Sequence, residues 1–458
     1  CSWRGGNPGA PGEKPRVLAD IASGLGGIVV PQTPGVWDKE GAVLRLWSAV
    51  PVTCQNGSAW PALAVVAGAG DKGDVEPNVT KVQFFARFPS GAVSEFEAYA
   101  GGAVVNLYAG LPQPEYDAWM SPDSPRACLT FEILDSGRKS LASVESCHDP
   151  SLLPPPGKVY DLALCYTVGP FGTSYTAVTN VLPNIAYHLR HGADHAVVYL
   201  SPWKRGLLLE LLRPLMDRGL VTVVLLDRVG QIPWNQLNLN DCLNRLKGRA
   251  RVYRGIDYDE VVYDPQWSSQ PDWAGLRASL ADNALRPLLE ASPEDWDCIT
   301  EQCGLWATPE DRSKALLLDT RYRREGICRS PTKTLSRPER VSVDTVHVPG
   351  DCFGRECQCT DTASHAHVRG TVLRPPGGTV AIIGEPPHKA KELKSVRNFE
   401  KGLDAGSFRS LIDTAVPDQF FEGEAKLLRQ ELCDWLNELC ISCEPADWNE
   451  RMVQRRPS

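Results

Sequence analysis

The stretch that best defines the fold is RVYRGIDYDEVV at residues 251–262, in which three carboxylates lie within four residues at the end of a strand-like run. The run predicts a β-strand, and strand side chains alternate with a period of two, so Asp257 and Asp259 would share one face. In open α/β sheets, ligands bind beyond the carboxyl ends of the strands. Paired carboxylates there suit a hard divalent cation that faces the phosphates of a ligand. The alternative interpretation is a solvated acidic loop.

Strand-like and helix-like patterns alternate ahead of this run. Strands are predicted at 159–167, 195–200 and 220–226, and amphipathic helices at 176–190, 207–218 and 236–247. Pro183 falls inside the first helix, so this helix is expected to be kinked or to begin later. The alternation predicts a parallel sheet with right-handed crossovers.

The flanking regions have other patterns. Residues 1–41 are rich in Gly and Pro, which predicts a disordered segment or linker. Residues 42–150 contain short β-like runs between turn residues, which predicts a small antiparallel β domain. We expect the α/β domain to occupy residues 157–378, with a β segment at 341–348, and a helical extension to occupy residues 379–458.

The composition points to a secretory compartment. The chain has 458 residues and a net charge of −8, which gives no reason to expect a nucleic acid partner. Two N-glycosylation sequons begin at Asn56 and Asn78, and 15 cysteines are many for a reducing cytosol. The odd number leaves at least one thiol outside intrachain disulfides. A cytosolic protein with buried thiols is the alternative.

Several short blocks, taken in order, resemble glycosyltransferase family 92. They are LALC at 162–165, LRHGADHAVVY at 189–199, NDCLNR at 240–245, DYDE at 257–260, KTLSRP at 333–338, VH at 346–347 and HVR at 367–369. LWSA at 46–49 is similar to a block that precedes the family's catalytic domain. The family usually has an aromatic residue shortly before its acidic motif, where this chain has Arg254 and Gly255.

The resemblance implies a GT-A-like, Rossmann-type mixed sheet with flanking helices, and a metal-dependent, inverting sugar transfer. The expected donor is UDP-galactose, the acceptor a glycan and the compartment the Golgi lumen, with the enzyme as a type II membrane protein. Residues 42–150 would then correspond to a carbohydrate-binding module. The resemblance leaves open a homodimer, and an N-terminal membrane anchor that precedes the chain.

The expected metal site consists of Asp257, Asp259 and His347. These residues would hold Mn²⁺ or Mg²⁺ against the nucleotide, because a metal ion stabilises charge that develops on a phosphate. Imidazole suits Mn²⁺ better than Ca²⁺. The alternative for His347 is a hydrogen-bonded core histidine. Glu260 would support the metal ligands or cap a helix, and we favour support of the metal ligands.

Two further pairs of residues complete the predicted site. Lys333 and Arg337 would bind the diphosphate, or would lie in a solvated basic loop. Inverting transfer needs a carboxylate base near the acceptor hydroxyl. The candidates are Asp297 and Glu301, with Glu301 preferred. The nearby Trp296 and Trp306 would stack on sugar rings or belong to the core.

Two other interpretations of the chain compete with an enzyme. Cys352, Cys357, Cys359, His365 and His367 could hold zinc, although disulfides suit a secretory chain better. The protein could also be a non-catalytic carbohydrate-binding or scaffold protein with a transferase-like fold. The acidic motif favours the enzyme.

Overall fold

The computed structural model describes part of the chain. The described residues are 27–30, 35–37, 43–56, 58–69, 83–102, 104–119, 127–148, 159–168, 181–190, 192–200, 205–226, 234–257, 260–262, 296–307, 322–323, 333–345, 348–368, 416–417, 430 and 433–434. Asp259, His347 and the predicted C-terminal helices, apart from a few residues, lie outside them.

The elements follow the chain in this order. The strands are β1 Gly27–Val30, β2 Gly35–Trp37, β3 Val43–Asn56, β4 Ser58–Ala69, β5 Phe85–Arg87, β6 Val93–Gly101, β7 Val104–Gly110, β8 Ala127–Leu134, β9 Ser140–His148, β10 Tyr160–Val168, β11 His195–Leu200, β12 Val221–Leu226, β13 Ala250–Ile256, β14 Glu260–Val262, β15 Cys298–Ala307, β16 Tyr322–Arg323, β17 Lys333–Ser336, β18 Val343–Asp344, β19 Pro349–Asp351, β20 Cys359–Val368 and β21 Val416–Pro417. The helices are α1 Gln113–Trp119, α2 Leu182–Arg190, α3 Arg205–Asp217 and α4 Trp234–Leu246.

The N-terminal region forms an antiparallel sheet in the order β2-β3-β4-β7-β6-β5-β8-β9. Its two central strands, β4 and β7, are buried on both faces. One face contributes Leu63 and Leu107 to a core with Phe131 and Trp119. The other face packs beneath α4 through residues such as Val66. The antiparallel β region predicted for residues 42–150 is therefore present.

The second sheet is large and mixed, and makes the protein an α/β structure with few helices. Strands β1, β12, β11, β10 and β13 are neighbours in that order and run parallel. Beyond β13 the sheet continues as β17, β15, β16 and β21 through antiparallel pairings. The predicted parallel strands and their connecting helices are present, but a sheet with so many antiparallel pairs does not confirm a Rossmann-type architecture.

The helix boundaries follow from local chemistry. Helix α2 begins at Leu182 rather than at residue 176. Pro183 therefore lies in the first turn, where its missing N–H is not needed. Gly192 and Gly219 follow α2 and α3 with φ of 100° and 70°, the left-handed conformation that ends many helices. No helix within the described ranges combines the length and apolarity needed to cross a membrane.

Helix α4 lies between the two sheets and is bonded to both. Asn106 Nδ2 donates to Asn240 Oδ1 at 2.9 Å, and Tyr108 OH donates to Asn244 Oδ1 at 2.8 Å. On the other side, a disulfide joins Cys165 of β10 to Cys242 of α4. Because these contacts are buried, α4 fixes the mixed sheet relative to the antiparallel one.

Two predictions differ from the structure. The range 1–41, predicted as a linker, contains β1, which extends the parallel sheet beside β12, and β2, which pairs with β3. The short run Gly27–Val30 is rich in β-branched residues, and edge pairing supplies the backbone hydrogen bonds that a linker would lack. The β segment predicted at 341–348 is replaced by the short strands β18 and β19, which pair antiparallel.

Candidate functional site

The acidic motif forms a turn at the carboxyl end of β13. The strand ends at Ile256, and the backbone N–H of Glu260 donates to the carbonyl of Asp257 at 3.0 Å. We call residues 257–260 the acidic turn. The shared face predicted for Asp257 and Asp259 stays a prediction. Asp259 itself lies outside the described residues.

Lys333 binds both described carboxylates of the acidic turn. Its Nζ lies 2.8 Å from Asp257 Oδ2 and 3.5 Å from Glu260 Oε2. The side chains of Lys333 and Glu260 are each 3% exposed, whereas that of Asp257 is 36% exposed. Burial opposes the charged ammonium, but the two carboxylates outweigh it and raise the pKa of Lys333 above its ordinary value. Lys333 is thus a buried, charged partner of the acidic turn rather than part of a solvated basic loop.

Lys333 reaches the acidic turn because of the antiparallel pairing of β17. Residues Tyr253 and Arg254 of β13 lie opposite Ser336 and Leu335. The first residue of β17 therefore lies at the end of β13 where the acidic turn begins. The fully buried Arg254 contributes a second positive charge, whose repulsion opposes the raised pKa of Lys333.

A buried hydrogen-bond chain holds the acidic turn from the side of α2. Asn184 Nδ2 donates to the carbonyl of Glu260 at 2.6 Å, and Tyr166 OH donates to Asn184 Oδ1 at 2.8 Å. Tyr166 OH also lies 3.3 Å from Nδ1 of His188. Burial raises the pKa of Tyr166 well above its ordinary value, so the hydroxyl stays protonated and donates. Sequence reasoning missed this chain, although a tyrosine and an asparagine within predicted buried elements are a signal that could have found it.

Helix α4 supports the floor of the site. A Cβ added to Gly255 would lie 2.5 Å from Leu239 Cδ1, so the strand fits under the helix only because residue 255 has no side chain. Tyr253 OH donates to Oδ2 of Asp344, which is buried and also exchanges backbone and amide hydrogen bonds with Asn240. Burial raises the pKa of Asp344 to about 6. The contact with Leu239 therefore explains why this chain has glycine at position 255.

The two candidate bases lie at different ends of β15. Glu301 is directly opposite Lys333 in the register of β15 and β17, whereas Cys298, next to Asp297, is opposite Ser336. Asp297 is thus displaced by about four residues, or roughly 13 Å, from the level of Lys333. The register therefore puts the backbone of Glu301 level with Lys333, and that of Asp297 level with the residue after β17.

Asp297 already has a full set of partners. Arg355 Nη1 and Nη2 donate to its two carboxylate oxygens at 2.6 and 2.7 Å, and the N–H of Gln358 donates to Oδ2 at 2.8 Å. Arg340 Nη1 lies 3.4 Å from Oδ1. Burial works against ionisation, but these donors lower the pKa of Asp297. A carboxylate committed in this way is a poor proton acceptor, which favours Glu301 over Asp297 as the base candidate.

Arg337 follows β17 and lies with Asp297 rather than with Lys333. Its guanidinium carbon is 4.0 Å from the ring centroid of Trp296. The backbone N–H of Arg337 donates to the backbone carbonyl of Asp297 at 2.9 Å. Trp296 is 3% exposed and belongs to the core, as the alternative interpretation held. Arg337 therefore packs at the Asp297 end of β17, whereas Lys333 lies at the acidic turn.

The Cys- and His-rich segment forms disulfides rather than a zinc site. Cys352 pairs with Cys357, and Cys359 pairs with Cys298. Three of the five candidate zinc ligands are thereby used, which supports the expected disulfides of an oxidising compartment. Cys54 is a free, buried thiol. Among the described residues there is no group of three or more side chains that could hold a metal ion.

These features define a mixed α/β protein with a cluster of charged side chains at the carboxyl end of a parallel strand. Residues 161–282, which contain the acidic turn, match the family model described as "Glycosyltransferase family 92". The match confirms the resemblance over that segment, and the family is one of glycosyltransferases. None of the curated proteins gives a significant match to the chain.

Three solved structures show weak likeness. They are HddC from Yersinia pseudotuberculosis (10% identity, TM-score 0.25, 45% of this chain and 92% of that one), a mannose-1-phosphate geranyltransferase from Thermus thermophilus (14%, 0.22, 46% and 74%) and phthalate dioxygenase reductase (8%, 0.15, 56% and 73%). TM-scores this low do not establish a common fold.

Proposed function

We propose that the protein is a metal-dependent, inverting glycosyltransferase that moves a hexose, galactose from UDP-galactose, onto a glycan acceptor. The observation that carries the proposal is the acidic turn. It lies within the matched segment, ends a parallel strand and is bound by a buried lysine. Such an edge is where nucleotide ligands bind in open α/β sheets.

A GT-A-like fold for this region is part of the proposal. Its support is the order β12-β11-β10-β13 in the parallel half, with α2, α3 and α4 between successive strands. The first antiparallel neighbour, β17, brings Lys333 back to the carboxyl end of β13. This arrangement gives one edge both the acidic turn and a cation for a diphosphate.

Asp257, with Asp259 and His347, is proposed to hold Mn²⁺ or Mg²⁺. The half-exposed carboxylate of Asp257 at the end of β13 fits such an ion, because hard cations prefer carboxylate oxygens. When bound, the ion would neutralise the charge that develops on the departing nucleotide. Glu260, which is 3% exposed and 3.5 Å from Lys333, is proposed to position the turn from below.

The remaining roles are assigned to the chain's own residues. Lys333 would donate hydrogen bonds to the diphosphate, and Asn184 would fix the acidic turn through the Glu260 carbonyl. Glu301 is proposed as the base that removes the proton from the acceptor hydroxyl, because its register places it opposite Lys333. The proton ends on the Glu301 carboxylate as the acceptor oxygen attacks the anomeric carbon and the bond to the nucleotide breaks.

The cellular setting is a further part of the proposal. The sequons, the disulfides and the family match support a Golgi-lumenal enzyme of the type II membrane class. The antiparallel sheet is proposed as a carbohydrate-binding module, and a homodimer is compatible with these roles.

The test is a donor screen with the purified full chain. UDP-sugars are incubated with and without Mn²⁺, and the release of UDP is measured. We expect release from UDP-galactose only with the metal, and at least a 100-fold loss in E301Q once an acceptor is present. E356Q, which changes an exposed glutamate, serves as the matched control and should keep full activity.

The outcomes separate the proposal from its competitor. UDP release without the metal would contradict the proposed metal dependence. Full activity of E301Q would contradict the role of Glu301 as the base. Glycan binding without turnover of any donor would favour a non-catalytic carbohydrate-binding protein.

A further inference from the structure

Lys333 occupies the place where positive charge is needed at the acidic turn. Its ammonium lies 2.8 Å from Asp257 and 3.5 Å from Glu260, and its side chain is 3% exposed. A lysine ammonium is a compact point charge with three donors on a flexible stem, so it can exchange one anionic partner for another. The carboxylate of Asp257 is the more exposed of its two partners and is the one a dissolved cation can reach.

The described residues at this edge include two cationic and two anionic side chains. Lys333 and Arg254 are cations, and Asp257 and Glu260 are anions. A divalent cation that approached Asp257 alone would add positive charge within a few ångströms of a buried ammonium. Like charges at such distances disfavour each other, and burial limits screening by salt. The arrangement therefore opposes metal binding to the donor-free protein.

A diphosphate would reverse this effect. Its negative charges give Lys333 a new partner and also attract the metal. Each ligand would then make the other bind more tightly, and such coupling is reciprocal between the two ligands.

We propose that Lys333 is a built-in counter-cation that makes metal binding depend on the nucleotide. The inference rests on the proposed function, and adds to it a positioning role for Lys333 and an order of assembly in which tight metal binding follows the arrival of the diphosphate. The same residue would hold Asp257 in place until then.

The test measures Mn²⁺ binding to the full chain by calorimetry, with and without UDP. For the wild type we expect UDP to tighten Mn²⁺ binding at least 10-fold. For K333M, which removes the charge and keeps the length, we expect Mn²⁺ alone to bind at least 10-fold more tightly than in the wild type, and UDP to add less than 3-fold. K333R keeps the charge and should retain the coupling. K139M, which removes an exposed lysine from the antiparallel sheet, should behave as the wild type does.

Each outcome decides the inference. Unchanged or weaker Mn²⁺ binding in K333M overturns it, and so does equal Mn²⁺ affinity of the wild type with and without UDP, a measurement that stands even if K333M does not fold. D257N separates this failure from a failure of the proposed function. If D257N abolishes Mn²⁺ binding while K333M does not tighten it, only the inference fails. If D257N leaves Mn²⁺ binding intact, the metal site itself is wrongly assigned and the inference falls with it.

Discussion

Each end of strand β17 lies near an aspartate that forms ion pairs, but the two aspartates differ in exposure and in the number of their partners. At one end Lys333 bonds Asp257, and at the other Arg355 and Arg340 bond Asp297. Asp297 is 1% exposed, accepts a bidentate arginine and a backbone N–H, and lies beside the disulfide of Cys298. Asp257 is 36% exposed and forms its ion pair with the ammonium group of Lys333.

The contrast between Asp257 and Asp297 shows how a carboxylate that can bind a ligand differs from one that stabilises the fold. A carboxylate with every oxygen committed to fixed donors stabilises the fold, since replacing a partner would cost several hydrogen bonds. A half-exposed carboxylate with an exchangeable partner can accept a ligand at low cost. Residue type and spacing do not distinguish these states, whereas the partners do.

The largest expected effect comes from D257N. Removing the charge should lower metal-dependent UDP release at least 100-fold, because the proposed metal ligand is lost and Lys333 is left with Glu260. The free energy of unfolding should fall by less than in D297N, because the Asp257 side chain is 36% exposed and Lys333 keeps Glu260 as a partner. Kinetics and denaturant unfolding measure both quantities, and a normal rate in D257N would contradict the comparison.

D297N should show the reverse pattern. The substitution leaves Arg355 and Arg340 without their buried carboxylate, which we expect to lower the free energy of unfolding by about 2 to 4 kcal/mol. Donor-dependent UDP release per folded molecule should stay within about 3-fold of the wild type. A catalytic defect in fully folded D297N would return Asp297 to the active site.

The buried Asp344 allows a comparison that depends on pH. Burial raises the pKa of Asp344 to about 6, above its unfolded value, so the folded state holds the proton more tightly. The contribution of Asp344 to the free energy of unfolding is therefore fully present below the unfolded pKa. It is lost as the pH rises through about 6, which lowers the free energy of unfolding by about 3 kcal/mol at neutral pH. D344N lacks this titration, so it should gain about that much relative to the wild type between pH 4 and pH 7.

Denaturant unfolding at several pH values tests the effect of Asp344. D217N, which removes an exposed carboxylate at the end of α3, is the control and should parallel the wild type. A constant difference between D344N and the wild type across pH would show that Asp344 does not titrate in this range. Tyr253 and Lys333 are the neighbouring groups that shift this titration in the opposite direction, by hydrogen bonding and by charge.

The sequence predicted the parallel half of the mixed sheet well. Strand 195–200 matches β11 residue for residue, and the helices differ by two residues or fewer except at Pro183, because apolar periodicity records local burial. The antiparallel half escaped prediction, since the pairing of β17 with β13 and β15 joins residues far apart in sequence. The same separation in sequence hid the contact at the candidate site. Lys333 was found by resemblance, but its bond to Asp257 joins residues 76 positions apart.

The smallest expected effect concerns how α4 supports the acidic turn. G255A places a methyl group 2.5 Å from Leu239 Cδ1, and overpacking of this kind should cost about 1 to 3 kcal/mol of unfolding free energy. G110A is the matched strand control, because its Cβ would meet only Ser94 Oγ at 3.8 Å. Adding L239A to G255A should recover part of the loss, since the two residues are in contact and their effects are not additive. If G255A is as stable as the wild type, β13 can move under α4, and the acidic turn is held by Lys333 and Asn184 rather than by the helix.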